Sequence, residues 1–178
     1  MSIRLRQQGF TLLELLVVMV IIGVLIAAAL LSTSFTNMDR KLEEEGRRFT
    51  AVLGYAREEA ILQSRDLGVQ IGDNEFRFLI LDPVTDQWTP ADFDPVLRAR
   101  RFPEDIRATL WIEGAGFELG NPDEPVPDPG DLPQVFILSS GEVSPFELLL
   151  ESEAATTQVT VTAQINGQTK VQADTLGF

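Results

Sequence analysis

Two residue types are missing from this chain altogether. It has no cysteine and no histidine. Without cysteine no disulfide can staple the fold, and no thiolate can bind a metal or attack a substrate. That absence does not fix the compartment, because an oxidising space permits disulfides without requiring them. Without histidine the commonest general base and the commonest transition-metal ligand are gone. Ser/His/Asp and Cys/His catalysis is excluded, and only carboxylate or lysine chemistry survives. Proline is absent before Pro83, and positive charge is nearly absent from the far half. From Leu110 to Phe178 eleven carboxylates face one base, Lys170, a segment charge of -10 within a chain of -13. Such a surface repels a phosphate backbone. Its plain reading is solubility.

What is present is a long apolar run. Met1 to Gly9 (MSIRLRQQG) is polar, with Arg4 and Arg6 and no acid. Phe10 to Leu31 follows, 22 residues interrupted by a single charge, Glu14. As a helix it spans roughly 33 Å, enough for a bilayer core of about 30 Å. The basic flank places the amino terminus in the cytoplasm and the carboxy-terminal bulk across the membrane. A secretory signal is an alternative, with Ala27, Ala28 and Ala29 as a cleavage site, but its apolar core is usually shorter. A plain anchor is another, and it leaves Glu14 unexplained. One reading of Glu14 is a capping box, Thr11-x-x-Glu14, with the carboxylate at the positive helix end. A second is that a carboxylate at a membrane boundary has a partner there.

Gly9-Phe10-Thr11-Leu12-Leu13-Glu14 resembles the processing motif of type IV pilins and type II secretion pseudopilins. The resemblance implies a leader, residues 1–9, cut by a prepilin peptidase between Gly9 and Phe10, and N-methylation of Phe10. It also implies that Glu14 meets the amine of a neighbouring subunit during filament assembly. The segment Val135-Phe-Ile-Leu-Ser-Ser-Gly-Glu-Val-Ser-Pro-Phe-Glu-Leu148 resembles a head signature of GspH-type minor pseudopilins and of the related FimT-type minor pilins. On this resemblance the chain is a structural subunit, not an enzyme, at or near the tip of a periplasmic pseudopilus that exports folded proteins. Expected partners are other minor pseudopilins, the major pseudopilin, the prepilin peptidase and the inner-membrane secretion platform. The alternative is a FimT-like pilin binding DNA during uptake. The acidity speaks against that, so no nucleic acid is expected.

The expected fold is α+β: a long N-terminal helix, membrane-spanning then amphipathic, packed on a small antiparallel β-sandwich head. The helix runs from about Thr11 to Gln63. Its transmembrane part covers 10–31 and its periplasmic amphipathic part 32–63, followed by a β-rich head over 64–178. Leu42, Phe49, Val52, Leu53, Ala56 and Ala60 fall on one helical face. Ser32 to Met38 is poor in strong helix formers and is a place to bend, with Gly46 and Gly54 as further soft points. Strands are expected at Leu67–Ile71, Glu75–Leu81, Ile106–Glu113, Gln134–Leu138, Phe146–Glu151, Gln158–Ile165 and Gln168–Ala173. Gly72-Asp73-Asn74 and the two-residue Asn166-Gly167 are hairpin turns, and Ser140-Gly141-Glu142 a further turn. Asp82–Pro95 and Asn121–Pro133 are loops.

Within the head no cofactor or metal is expected. Asp123, Glu124, Asp128 and Asp131 could attract calcium, but four prolines spread them and their spacing matches no ligand loop. Arg98, Arg100 and Arg101 form a basic cluster at an edge or loop, paired with local acids. Trp88 and Trp111 are core or interface residues. Glu142 and Glu147 flank a turn, and nothing else supports their use as a catalytic pair.

Overall fold

A computed structural model describes residues 12–72, 74–112, 118–119 and 132–176, excepting the side chains of 27–36 and 118–119. One helix, α1 (Leu12–Gln63, 52 residues), opens the chain. At 1.5 Å per residue it is about 78 Å long. It stays α-helical through Ser32–Met38, against the expected bend. Propensity there is a weak preference, and flanking turns of good helix formers override it. Ser64, in the left-handed region at φ 49°, ends the helix. Arg65 N then donates to Ala60 O and Ser64 N to Ile61 O, a Schellman closure made without glycine.

Among the described residues ten strands follow: β1 (Leu67–Ile71), β2 (Glu75–Asp82), β3 (Gln87–Pro90), β4 (Arg100–Arg101), β5 (Arg107–Ile112), β6 (Glu118–Leu119), β7 (Val135–Ile137), β8 (Phe146–Glu151), β9 (Thr157–Ala163) and β10 (Thr169–Thr175). They form two antiparallel sheets. The first has the order β3-β2-β1-β7, with β4 also on β2, and the second β10-β9-β8-β5-β6. Alternation sets the faces. Phe146, Leu148 and Leu150 of β8 and Val159, Val161 and Ala163 of β9 point inward. Their neighbours Glu147, Glu151 and Thr160 point out.

The helix joins the two sheets. Phe49 packs edge-on against Phe76 of β2, centroids 5.1 Å apart, and against Phe146 of β8 at 6.1 Å. Leu42, Leu53, Ala56 and Ala60 complete the buried stripe expected from the sequence. Burying each larger side chain contributes about 1.5–3 kcal/mol relative to exposure. Gly46 is a packing position rather than a soft point. A Cβ there would lie 2.8 Å from Val159 Cγ1 and 3.3 Å from Val171 Cγ1, so hydrogen alone lets α1 lie this close to β9 and β10.

Two of the expected connections differ. β3 lies inside the expected loop Asp82–Pro95. Asp82 Oδ1 accepts from Val84 N at 2.8 Å, and Asp86 takes φ 55°, so Pro83–Asp86 is a tight hairpin rather than open loop. The β9–β10 connection has three residues, not two. Gln164 N bonds Gln168 O, Gly167 N bonds Gln164 O, and Gly167 takes φ 77°. That is a type I turn followed by a left-handed glycine. The acidic loop Asn121–Asp131 and Asp73 lie outside the described residues.

Candidate functional site

The helix has two surfaces of different kinds. From Met38 onward one apolar stripe, Met38, Leu42, Phe49, Val52, Leu53, Ala56 and Ala60, is in the core, while Ile61 and Leu62 at the helix end are exposed. From Leu12 to Ile26 every residue is exposed, Leu12 at 83% and Val18 at 43%. This is apolar surface on all sides, with no stripe, and the chain's own head does not cover it. A helix apolar all round needs lipid or other helices. Among the described residues no helix is long and apolar enough to cross a membrane; the described part of the run is the 15 residues Leu12–Ile26. Glu14 stands in the first described turn, where its charge complements the helix dipole. Gly9, Phe10 and Thr11 lie outside the described residues, so the cleavage point and the capping box do too.

Where the helix enters the head, Asp39 is fixed to the β8–β9 connection. Its Oδ1 accepts from Thr156 N (2.8 Å), Thr157 N (3.0 Å) and Thr157 Oγ1 (3.0 Å), and its Oδ2 from Thr156 Oγ1 (2.7 Å). Burial alone raises the carboxyl pKa, but the bonds from Thr156 and Thr157 together outweigh it and hold it below the ordinary value. No sequence pattern joins residues 117 apart, and Asp39 was not visible as a site.

At the other end of the head, Arg57 Nε donates to Gly141 O at 2.6 Å. A Cβ on Gly167 would fall 2.6 Å from Arg57 Cδ, so the same side chain lies against both hairpin ends. Gly141 has φ 88°, and Val143 N bonds Ile165 O at 3.0 Å, which ties the two turns together. The signature segment Val135–Leu148 is therefore β7, this turn and the start of β8, with Pro145 just before β8. Arg57 left a trace in the sequence: it lies four after Leu53 and three before Ala60, a base on the margin of an apolar face.

The remaining candidates separate. Glu142 is on the Gly141 turn, and Glu147 is on the outer face of β8, where it lines a shallow hollow with Trp111 and Thr162. Among the described residues no group of acids is placed to hold a metal. The acidic hollow of about 500 Å³ between Glu104, Asp105, Arg107, Glu151 and Glu153 is open. Trp88 is half-buried, its ring 5.8 Å from Phe136, and covers Gly68 together with Pro133. Trp111 is half-buried on β5. Arg100 and Arg101 are the edge strand β4, opposite Phe76 and Glu75. Among the described residues local pairing holds only for Arg101, whose Nε lies 3.5 Å from Glu75. Arg100 instead donates to the carbonyls of Val96 and Pro95.

Comparison with known proteins agrees with this division of the chain. Residues 4–30 match the prokaryotic N-terminal methylation motif, and residues 45–167 match the family described as type II transport protein GspH. The chain is 40% identical to type II secretion system protein H of Pseudomonas aeruginosa over 80% of its length and 82% of that protein's. It is 32% identical to the protein of the same name from Aeromonas hydrophila, covering 84% of each. Its fold is similar to the crystal structure of the minor pseudopilin EpsH from the type II secretion system of Vibrio cholerae, with TM-score 0.62, 27% identity, 79% of this chain and 99% of that one. The solution structure of Escherichia coli GspH shares the fold at TM-score 0.55 and 21% identity, over 79% of this chain and 91% of that one. An apolar helix carrying the methylation motif, continued into a two-sheet head with the matching signature, makes this chain a member of the GspH family of type II secretion minor pseudopilins.

Proposed function

We propose that this minor pseudopilin is a subunit at or near the tip of a periplasmic pseudopilus that drives folded proteins across the outer membrane. The observation that carries this is the divided helix. Its first half offers apolar surface to neighbours or lipid, and its second half is fixed into the chain's own head. A subunit of this kind transmits displacement of the helix to the head, and that suits a filament component better than a catalyst.

On this reading, residues 1–9 are a leader removed by a prepilin peptidase, Phe10 becomes the N-methylated first residue, and 10–31 cross the inner membrane once with the head in the periplasm. Other minor pseudopilins, the major pseudopilin and the inner-membrane platform are its partners. Cleavage creates a cationic amine at Phe10. Glu14, four residues on, is costly in lipid, by about 2.5–3.5 kcal/mol for an acid at the bilayer centre and less near the interface. Pairing with the amine of an adjacent subunit removes part of that cost on assembly.

The test is the secretome of a strain lacking the chain, complemented with wild type or Glu14→Leu. Folded proteins should vanish from the medium and return only with wild type. Normal secretion without the chain would overturn the reading. Rescue by Glu14→Leu would leave secretion standing and remove the role of Glu14.

A further inference from the structure

The second sheet ends in a strand unlike the other edges of the head. Among the described residues the edge strands β3, β4, β6 and β7 have four residues or fewer, and β3 closes on Pro90. β10 has seven, Thr169–Thr175, with no proline and no bulge, each opposite one residue of β9. Short edges, proline and bulges are the usual guards against pairing with another chain. β10 lacks these three. Its one lysine, Lys170, is offset by Asp174 on the same face, and both side chains are exposed.

The ladder fixes which backbone groups of β10 point outward. Gln164 N donates to Gln168 O, and Leu176 N donates to Thr156 O at 2.8 Å, so residues 168 and 176 turn toward β9. Bonding alternates along an antiparallel pair, so Lys170, Gln172 and Asp174 turn toward β9 as well. Thr169, Val171, Ala173 and Thr175 turn their N–H and C=O groups away from it. Among the described residues no strand pairs with that side of β10. The edge lies beside the helix. Asp39 accepts from Thr157 N, and Thr157 is opposite Thr175. A Cβ on Gly46 would touch Val171, and one on Gly167 would touch Arg57. β10 therefore runs antiparallel to α1 along the stretch Asp39–Arg57, roughly 27 Å of helix.

We propose that the open edge of β10 receives an extended segment of a neighbouring pseudopilin, added antiparallel as a further strand of the second sheet. The proposal rests on the pseudopilus reading above. A row of main-chain donors and acceptors is matched by an extended polypeptide, which presents the same groups at the same spacing. The apolar half of α1 calls for neighbours alongside the helix, and β10 flanks the continuation of that helix. Lys170 and Asp174 favour a register with an acid opposite the first and a base opposite the second. A second copy of this chain carries such a pair. Joining two β10 edges antiparallel, however, turns their helices in opposite directions, while helices anchored in one membrane run the same way. The neighbour is therefore a different subunit.

The test uses the full chain in its own membranes. Photo-reactive p-benzoylphenylalanine replaces Gln168 in one variant and Gln172 in another, on one face of β10 and with Lys170 and Asp174 intact. Both should attach to one segment of another pseudopilin. The site reached from 168 should lie about four residues C-terminal to the site reached from 172, the order of an antiparallel pair. Ala173→Pro removes an outward N–H and no bond to β9, and proline is tolerated on such an edge. It should lower secretion by about tenfold, through one lost main-chain bond and the acceptor left without it, while melting stays unchanged. No adduct, adducts within the chain or to a second copy of it, or sites in the parallel order would overturn the proposal. So would full secretion by Ala173→Pro. If that variant melts early, the order of adducts in the other two decides. If secretion proves independent of the chain, the pseudopilus reading fails, and the same order still decides what the edge binds.

Discussion

Asp39 and Thr156 hold the helix to the head across 117 residues of chain, through one backbone and one hydroxyl bond to the same carboxylate. Thr157 doubles the arrangement. The position matters because Met38, beside Asp39, is the first core residue among the described side chains of the helix.

Replacing Asp39 by alanine should cost about 1.5–3 kcal/mol, the range for hydrogen bonds to a charged group. The pH dependence has a definite sign. The folded pKa is lowered, so the contribution is complete above the unfolded value of about 3.9 and fades as pH falls through the folded value. Melting temperature measured downward from neutral pH in wild type and Asp39→Asn tests it. The gap between them should close under acid, and a gap that widens would reverse the assignment.

Gly46 and Gly54 offer a matched pair on one helix. Alanine at Gly54 meets nothing within 4 Å, so it should stabilise by about 0.4–1 kcal/mol through helix propensity alone. Alanine at Gly46 gains the same propensity but pushes its Cβ to 2.8 Å from Val159. Val159 is fully buried, and overpacking costs about 1–3 kcal/mol. Chemical denaturation of the two variants should move in opposite directions.

The two glycines also show what sequence could and could not say. The helix, its apolar stripe and seven of the strands were legible because period 3.6 and period 2 are local patterns. The methylation motif and the head signature were legible because they are contiguous. Gly46 and Gly54 look alike in sequence, and only the approach of β9 distinguishes them. β3 was hidden because Pro83–Asp86 has the composition of a loop while Asp82 folds it into a turn. Asp39 and Arg57 act on partners far along the chain, and no local pattern reports such pairs. The continuous helix from about Thr11 to Gln63 was legible, and only the weak point at Ser32–Met38 is overridden by the helical turns on either side.

Arg57 and Gly167 should be energetically coupled. Gly167→Ala places a methyl against the guanidinium stem of Arg57, and it also forces alanine into φ 77°, which costs about 1–2 kcal/mol. Arg57→Ala removes the first of these penalties and leaves the second. The double variant should therefore be less destabilised than the sum of the two singles, by about 0.5–3 kcal/mol. Additive effects would mean that Arg57 swings aside without cost.

Tyr55 gives a spectroscopic view of how the 91–98 segment is held to the helix. Its hydroxyl donates to Asp94 Oδ2 at 2.9 Å, and Asp94 Oδ1 in turn accepts from Val96 N. The bond to Asp94, then burial, then the charge of Asp94 push the phenol up to about 12 from 10.0. It is the only tyrosine in the chain, so tyrosinate absorbance reports this contact without interference. The midpoint in the folded protein should lie near 12. It should fall part of the way in Asp94→Asn, which keeps an acceptor but loses the charge, and further in Asp94→Ala. Because the folded pKa is raised, the contact stabilises fully below about pH 10 and is lost as pH rises through the folded value. A wild-type midpoint near that of a free phenol would show the helix and the 91–98 segment unlinked.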